Sequence, residues 1–141
     1  MDIKKLLIGG IVGGILFFGL GYLVYGVLLK GYMANHMGLA GNVYRADADI
    51  QFLYLAIGNL AMGFMMAYVF MRAKVKGAVD GLITGGIVSL LVGAGYDCMT
   101  YATTTVMSKS MMAADVAGVT VMAAITGAIV ALVMNMGSKE G

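Results

Sequence analysis

The amino-acid sequence predicts an all-α fold, a polytopic membrane bundle of four helices. Of its 141 residues, 61% are hydrophobic and only 11% are charged, whereas soluble globular proteins carry about 25% charged residues. Four separate stretches are apolar over the roughly 20 residues that a helix needs to cross a bilayer. Because backbone groups in lipid need hydrogen-bond partners within their own segment, these stretches are predicted to be helices. We expect one membrane domain over residues 1–141, with transmembrane helices at about 6–29, 51–71, 80–105 and 114–136.

Each segment has its own signature. The first follows Lys4 and Lys5 and is much longer than the apolar core of a secretory signal, so we interpret it as a retained helix. The second contains no charged residue, and the third, after Asp80 at its start, is interrupted only by Asp97. Asp80 and Asp115 stand near the predicted starts of the third and fourth helices, where carboxylates commonly cap a helix.

The basic residues predict the orientation of the chain in the membrane. Cytoplasmic loops carry an excess of lysine and arginine, and the short basic stretch at 72–76 is the strongest such signal. The side opposite the termini carries only Lys30, Arg45 and Lys109. We therefore expect both termini in the cytoplasm, on the side that carries Lys4, Lys5, Arg72, Lys74, Lys76 and Lys139.

Glycine is abundant, with 22 residues, and proline is absent. Helices in lipid associate through close backbone contact at small residues, commonly spaced as GxxxG. This pattern predicts contacts within the chain and is equally compatible with self-association. The predicted packing positions are Gly9, Gly10, Gly13, Gly14, Gly81, Gly85 and Gly127.

A short internal similarity links the two halves of the chain. The tetrapeptide Gly-Gly-Ile-Val occurs at 9–12 and again at 85–88. It is compatible with a parallel repeat of two helical hairpins, related about an axis normal to the membrane. Chance matching between glycine-rich apolar segments is the alternative, and the sequence leaves both open.

One polar layer is predicted inside the membrane, centred on Asp97. An ionisable side chain within a membrane helix is costly and is by default a functional-site hypothesis. Counting from the helix ends places side chains of the other helices near its depth, and its own helix contributes threonines on the same face. The expected cluster comprises Asp97, Asn59, Tyr22, Thr120, Thr100 and Thr104.

Two interpretations of this layer stay open. Asp97 either fixes the helices through hydrogen bonds, or binds a cation or exchanges a proton in a transport cycle. The chain has one histidine and one cysteine, so we expect neither a metal site nor a cofactor. No catalytic motif is recognisable, and we do not expect an enzyme. The net charge of +2, with scattered basic residues, gives no reason to expect a nucleic-acid partner.

Several short motifs together resemble a known group of proteins. They are Gly-Gly-Ile-Val at 9–12, Tyr-Leu-Val-Tyr-Gly at 22–26, Gly58-Asn59, and Tyr96-Asp97 followed by Tyr101 and Thr103-Thr104. With them the chain resembles small bacterial four-helix integral membrane proteins that are known only as domains of unknown function. The resemblance implies a location in the bacterial inner membrane and brings no assigned activity.

Two functional classes therefore remain. The first is a small oligomeric transporter or channel-like protein that uses an intramembrane aspartate. The second is an accessory or structural subunit of a larger membrane complex. Membrane lipids, further copies of the chain or other membrane subunits are the expected partners.

Overall fold

The computed structural model describes residues 1–136, and within them the chain is helical apart from short connections. Lys139 lies outside the described residues. Four helices are long and apolar enough to cross a membrane, which confirms the predicted all-α four-helix bundle and makes this a multi-pass membrane protein. The elements are α1 (Ile3–Gly21), continued by a π-helical segment (Tyr22–Leu28), α2 (Lys30–Asn35), a 3₁₀ turn (Asp47–Asp49), α3 (Phe52–Ala73), α4 (Ala78–Thr103) and α5 (Lys109–Asn135).

The long helices form two antiparallel hairpins. One pairs α1 with α3 and the other pairs α4 with α5, and the hairpins meet mainly through α1 and α5. Consequently α3 and α4 lie on opposite flanks and touch at few points, such as Met66 near Gly85. We call the end with Met1 and the α3–α4 turn the terminal end, and the end with residues 29–51 the loop end.

Glycines bring the helices of each hairpin into backbone contact. A Cβ atom added at Gly13 would lie 2.9 Å from Gly63 Cα, so α1 and α3 approach as closely as two backbones can. On α4, a Cβ added at Gly85 would lie 2.6 Å from the carbonyl oxygen of Ala123 on α5. All seven glycines singled out in the sequence lie against a neighbouring helix of the same chain. Gly13, Gly14, Gly81, Gly85 and Gly127 meet its backbone, whereas Gly9 and Gly10 meet the side chains of Met134 and Phe64.

The hydrophobic core lies toward the terminal end. Three of the four long helices contribute large buried side chains to it, namely Phe17 of α1, Met66 and Phe70 of α3, and Val130 of α5. The helix α4 contributes buried glycines and a serine instead of large side chains.

The helix starts differ from the prediction in one respect that matters for the site. The hydroxyl of Ser108 accepts a hydrogen bond from the Met111 amide at 3.1 Å and caps α5, which therefore begins at Lys109. Asp115 thus lies inside α5, and the prediction that it caps this helix was wrong. Asp80 is also not the N-cap of α4, because Gly77 holds that position. The Asp80 Oδ2 atom accepts a hydrogen bond from the Lys76 amide in the preceding turn at 3.1 Å.

The connection over residues 29–51 is fastened to the α4–α5 connection. The amide of Gly38 donates to Val106 O at 3.2 Å, and that of Ala40 donates to Thr105 O at 3.0 Å. Within the loop, Lys30 Nζ donates to Asp47 Oδ2 at 2.7 Å, and this hydrogen bond raises the pKa of the exposed Lys30 ammonium. The loop thereby covers the loop end of α4 and α5.

Candidate functional site

The candidate site is built around Asp97, the buried carboxyl group of α4. Its side chain is only 1% exposed, although the residue lies two turns from the end of the helix. No donor among the described residues reaches its Oδ2 atom. A buried carboxyl oxygen without a donor is unusual, because most buried polar atoms in proteins have a hydrogen-bond partner.

A second carboxyl group faces Asp97 from the neighbouring helix. The half-buried Asp115 side chain on α5 lies close enough to the Asp97 carboxyl group for the two acids to interact electrostatically. Two carboxylates cannot hydrogen-bond to each other, because each is only an acceptor and both are negatively charged. A proton on one member of the pair would turn that carboxyl group into a donor and remove the repulsion between the two.

Tyr25 completes the pair from the third side. It belongs to the π-helical segment, in which the Leu29 amide donates to Val24 O at 2.7 Å, five residues earlier. The Tyr25 hydroxyl donates to the backbone carbonyl oxygen of Asp115 at 3.4 Å, which places it close to this acid. Widened helical turns of this kind frequently occur at functional sites.

Tyr44 lies on the loop-end side of the two acids. Burial raises the pKa of the Tyr44 hydroxyl, and the negative charges of Asp115 and Asp97 add to this effect. Tyr44 is nevertheless 55% exposed, so it lies at the surface of the protein near the pair. The site thus comprises Asp97, Asp115 and Tyr25 from three elements, with Tyr44 of the loop nearby.

The structure does not bring the expected polar layer together. The Tyr22 ring is 70% exposed, and the Asn59 amide donates to Leu55 O in its own helix at 2.7 Å. Equal depth did not imply proximity here, because α3 lies on the flank opposite α4. Thr104 and Thr120 likewise donate to carbonyls of their own helices, at 2.7 and 2.6 Å.

One face of α4 packs against α5 on either side of the glycine contacts. Ser89, Gly93 and Asp97 all face α5, with Ser89 Oγ donating to Val119 O at 3.3 Å. Thr100 on the same helix is half-buried and accepts, through its carbonyl, from both the amide and the hydroxyl of Thr104.

Sequence reasoning missed Asp115, Tyr25 and Tyr44. The signal for Asp115 was present, since a serine at position 108 marks a helix start and moves Asp115 into the second turn. Tyr25 and Tyr44 carried no such signal, because a tyrosine near a membrane surface usually belongs to an aromatic belt.

The chain's one histidine makes local contacts within residues 29–51. His36 stacks on Tyr32 with ring centroids 4.0 Å apart, and its Nδ1 lies 2.7 Å from Tyr32 O. Over residues 1–136, no group of three or more histidine, cysteine or acidic side chains is arranged to hold a metal ion. The candidate functional site is therefore the carboxyl pair of Asp97 and Asp115.

Comparison of the chain with protein-family models, with curated proteins and with solved structures yields no match. The function has to be argued from the geometry of the carboxyl pair.

Proposed function

We propose that this protein is a small membrane transporter that carries a proton, or a cation exchanged for that proton, on the carboxyl pair of Asp97 and Asp115. The observation that supports it is the pair itself: two acids face each other from membrane helices, and Asp97 is 1% exposed. Burying an acid in a membrane is costly, and acids that are retained there commonly belong to ion or proton pathways.

The chemistry of the pair favours exchange over a purely structural role. A structural carboxyl group is stabilised when donors satisfy both of its oxygens, but no donor in residues 1–136 reaches Asp97 Oδ2. When the shared proton leaves, two adjacent negative charges remain in an apolar setting. A monovalent cation is the simplest species that restores the balance, so the site is suited to hold either a proton or a cation.

The protein's setting belongs to the same proposal. The basic residues at the terminal end favour a cytoplasmic location of both termini. The resemblance to small bacterial membrane proteins favours the bacterial inner membrane. Glycines 19, 58 and 95 lie in long helices with no atom within 4 Å of an added Cβ. Glycine weakens a helix by about 1 kcal/mol relative to alanine, so open glycines favour contact with a further helix and thus an oligomer.

Proton-linked flux through vesicles tests the proposal. Full-length protein is reconstituted into liposomes that contain a pH-sensitive dye, and Na⁺ or K⁺ is added outside. We expect a cation-dependent change in internal pH that is lost in Asp97→Asn and retained in Asp49→Asn, which removes a loop acid outside the membrane helices. Wild-type vesicles that match protein-free vesicles for both ions, or an active Asp97→Asn variant, would contradict the proposal.

The open glycines also favour a second function, that of an accessory subunit in a larger membrane complex. The same positions could receive a helix of another protein instead of a second copy. Native mass spectrometry of the protein, released gently from its own membranes, separates the two. A homo-oligomer supports the transporter, and a reproducible hetero-complex supports the accessory subunit.

A further inference from the structure

The terminal end carries a cleft that the carboxyl pair does not explain. It has a volume of about 380 Å³ and lies where the start of α1, the α3–α4 turn and the end of α5 meet. Its apolar part is formed by the buried Phe70, Val75 and Met134. Its polar part is formed mainly by lysines, namely Lys5, Lys74 and Lys76.

The position of these lysines is fixed by the backbone. Lys74 ends α3 in the left-handed conformation, with φ of 57°, and its amide donates to Met71 O at 3.3 Å. The Lys76 amide is held by Asp80 Oδ2, and Asn135 Nδ2 donates to Val75 O at 3.1 Å, which ties the turn to α5. The turn is therefore an ordered platform for two cationic side chains.

Asp80 lies beside this platform through the Lys76 amide. Within residues 1–136, however, neither the Lys74 nor the Lys76 ammonium forms an ion pair. The one acidic side chain of the cleft, Asp2, accepts a hydrogen bond from the Lys5 amide and caps α1. Lys74 and Lys76 together outweigh Asp2, so the lining carries a net positive charge where a membrane helix ends.

A second, smaller cleft continues the first along the bundle. It has a volume of about 210 Å³ and shares Asp2, Lys5 and Met134 with the larger cleft. Its other walls include Ile8 of α1 and Val133 of α5, which are apolar and partly exposed. Lys4 and Met136 complete its lining. A ligand with a phosphate and an apolar tail would meet lysines in both clefts and the apolar side chains of Ile8 and Val133 in the smaller one.

We infer that the two clefts form one binding site for an anionic phospholipid, with the headgroup phosphate on Lys74 and Lys76 and an acyl chain between α1 and α5. Charge complementarity identifies the headgroup, since lysines close to a membrane surface attract anionic lipids. The apolar continuation past Ile8 and Val133 distinguishes a lipid from free phosphate. This inference is independent of the transport proposal.

Lipid titration followed by native mass spectrometry tests the site. The full-length protein in detergent is titrated with phosphatidylglycerol or with phosphatidylcholine of the same acyl chains. We expect one tightly bound phosphatidylglycerol per chain and weaker binding of phosphatidylcholine. A lysine near the surface contributes a factor of about five to affinity, so Lys74→Gln with Lys76→Gln is expected to weaken binding roughly 25-fold.

Matched variants keep the test specific. Arg45→Gln with Lys109→Gln removes the same charge from the loop end and should leave binding unchanged, while Lys74→Arg with Lys76→Arg should retain it. The arginine variant also controls for folding, because it changes the same positions. Equal affinity for both lipids, equal loss in the loop-end variant, or displacement of the lipid by millimolar inorganic phosphate would each overturn the inference.

Discussion

Replacing Gly63 by alanine is expected to destabilise the α1–α3 hairpin. The added Cβ would collide with the Gly14 amide nitrogen and the Gly10 carbonyl oxygen. These are backbone atoms of a helix, so they cannot rotate away as a side chain would. The two helices have to separate, and the neighbouring contacts along the hairpin are loosened with them.

Gly58 on the same helix provides a matched control for the magnitude. No atom lies within 4 Å of a Cβ added there, so Gly58→Ala introduces a methyl group without a clash. Both variants gain about the same helix propensity, about 1 kcal/mol, and this gain cancels when the two are compared. The difference in unfolding free energy is therefore the cost of overpacking, about 1–3 kcal/mol, and the backbone clash places it in the upper part of that range.

Reversible unfolding in mixed micelles measures this difference. The helical signal of each variant is followed while the fraction of denaturing detergent is raised, and the midpoints are converted to free energies. Gly63→Ala should unfold at a lower detergent fraction than both wild type and Gly58→Ala. Equal stability of the two variants, or greater damage from Gly58→Ala, would refute the close approach of α1 and α3.

Two further predictions concern the loop end. Gly38→Ala places a Cβ against the backbone of Thr105 and Met107, so it should release the loop and speed limited proteolysis within residues 38–50. Gly41→Ala has open space around it and should not change the cleavage rate. Equal cleavage of both variants would contradict the docking of the loop. The pKa of Tyr44 should lie above the ordinary value of about 10, and Asp115→Asn should lower it only part of the way, because burial is the larger cause. Since the folded chain then holds this proton more tightly than the unfolded chain, the stability contributed by Tyr44 is lost as pH rises above about 10. NMR titration of labelled tyrosine, with Tyr44→Phe for assignment, measures this pKa, and a value unchanged by Asp115→Asn would show that Asp115 does not act on it.

The sequence was sufficient to predict the helices because their length and polarity are set by the bilayer. The predicted third helix, at 80–105, differs from Ala78–Thr103 by two residues at each end. The fourth was predicted to start at 114, whereas the Ser108 cap starts α5 at Lys109. That difference of five residues made Asp115 look like a helix cap, although its carboxyl group belongs to the candidate site.

The composition of the site could be predicted only in part, because depth and neighbourhood are different quantities. Hydropathy gives the depth of a residue in the membrane, and on that basis Asn59 matched Asp97. Which helices are adjacent depends on packing among all of them, and α3 packs against α1, away from α4. Glycines show the same limit, since Gly58 and Gly63 look alike in sequence but only Gly63 lies in a helix contact.

The two kinds of interface in the bundle suggest where movement would occur if the protein transports ions. From the terminal end to the carboxyl pair, α4 and α5 are joined by backbone contacts and by the Ser89 hydrogen bond, which leaves no space for an ion. The interface between the hairpins is different, because α1 glycines there meet flexible side chains of α5, with Met134 against Gly9 and Met122 against Gly21. Methionine adapts to altered packing more readily than backbone does. Access to the pair from the terminal end would therefore require the α1–α3 hairpin to shift as a unit against the α4–α5 hairpin. The glycine contacts between α1 and α3 and those between α4 and α5 would stay closed.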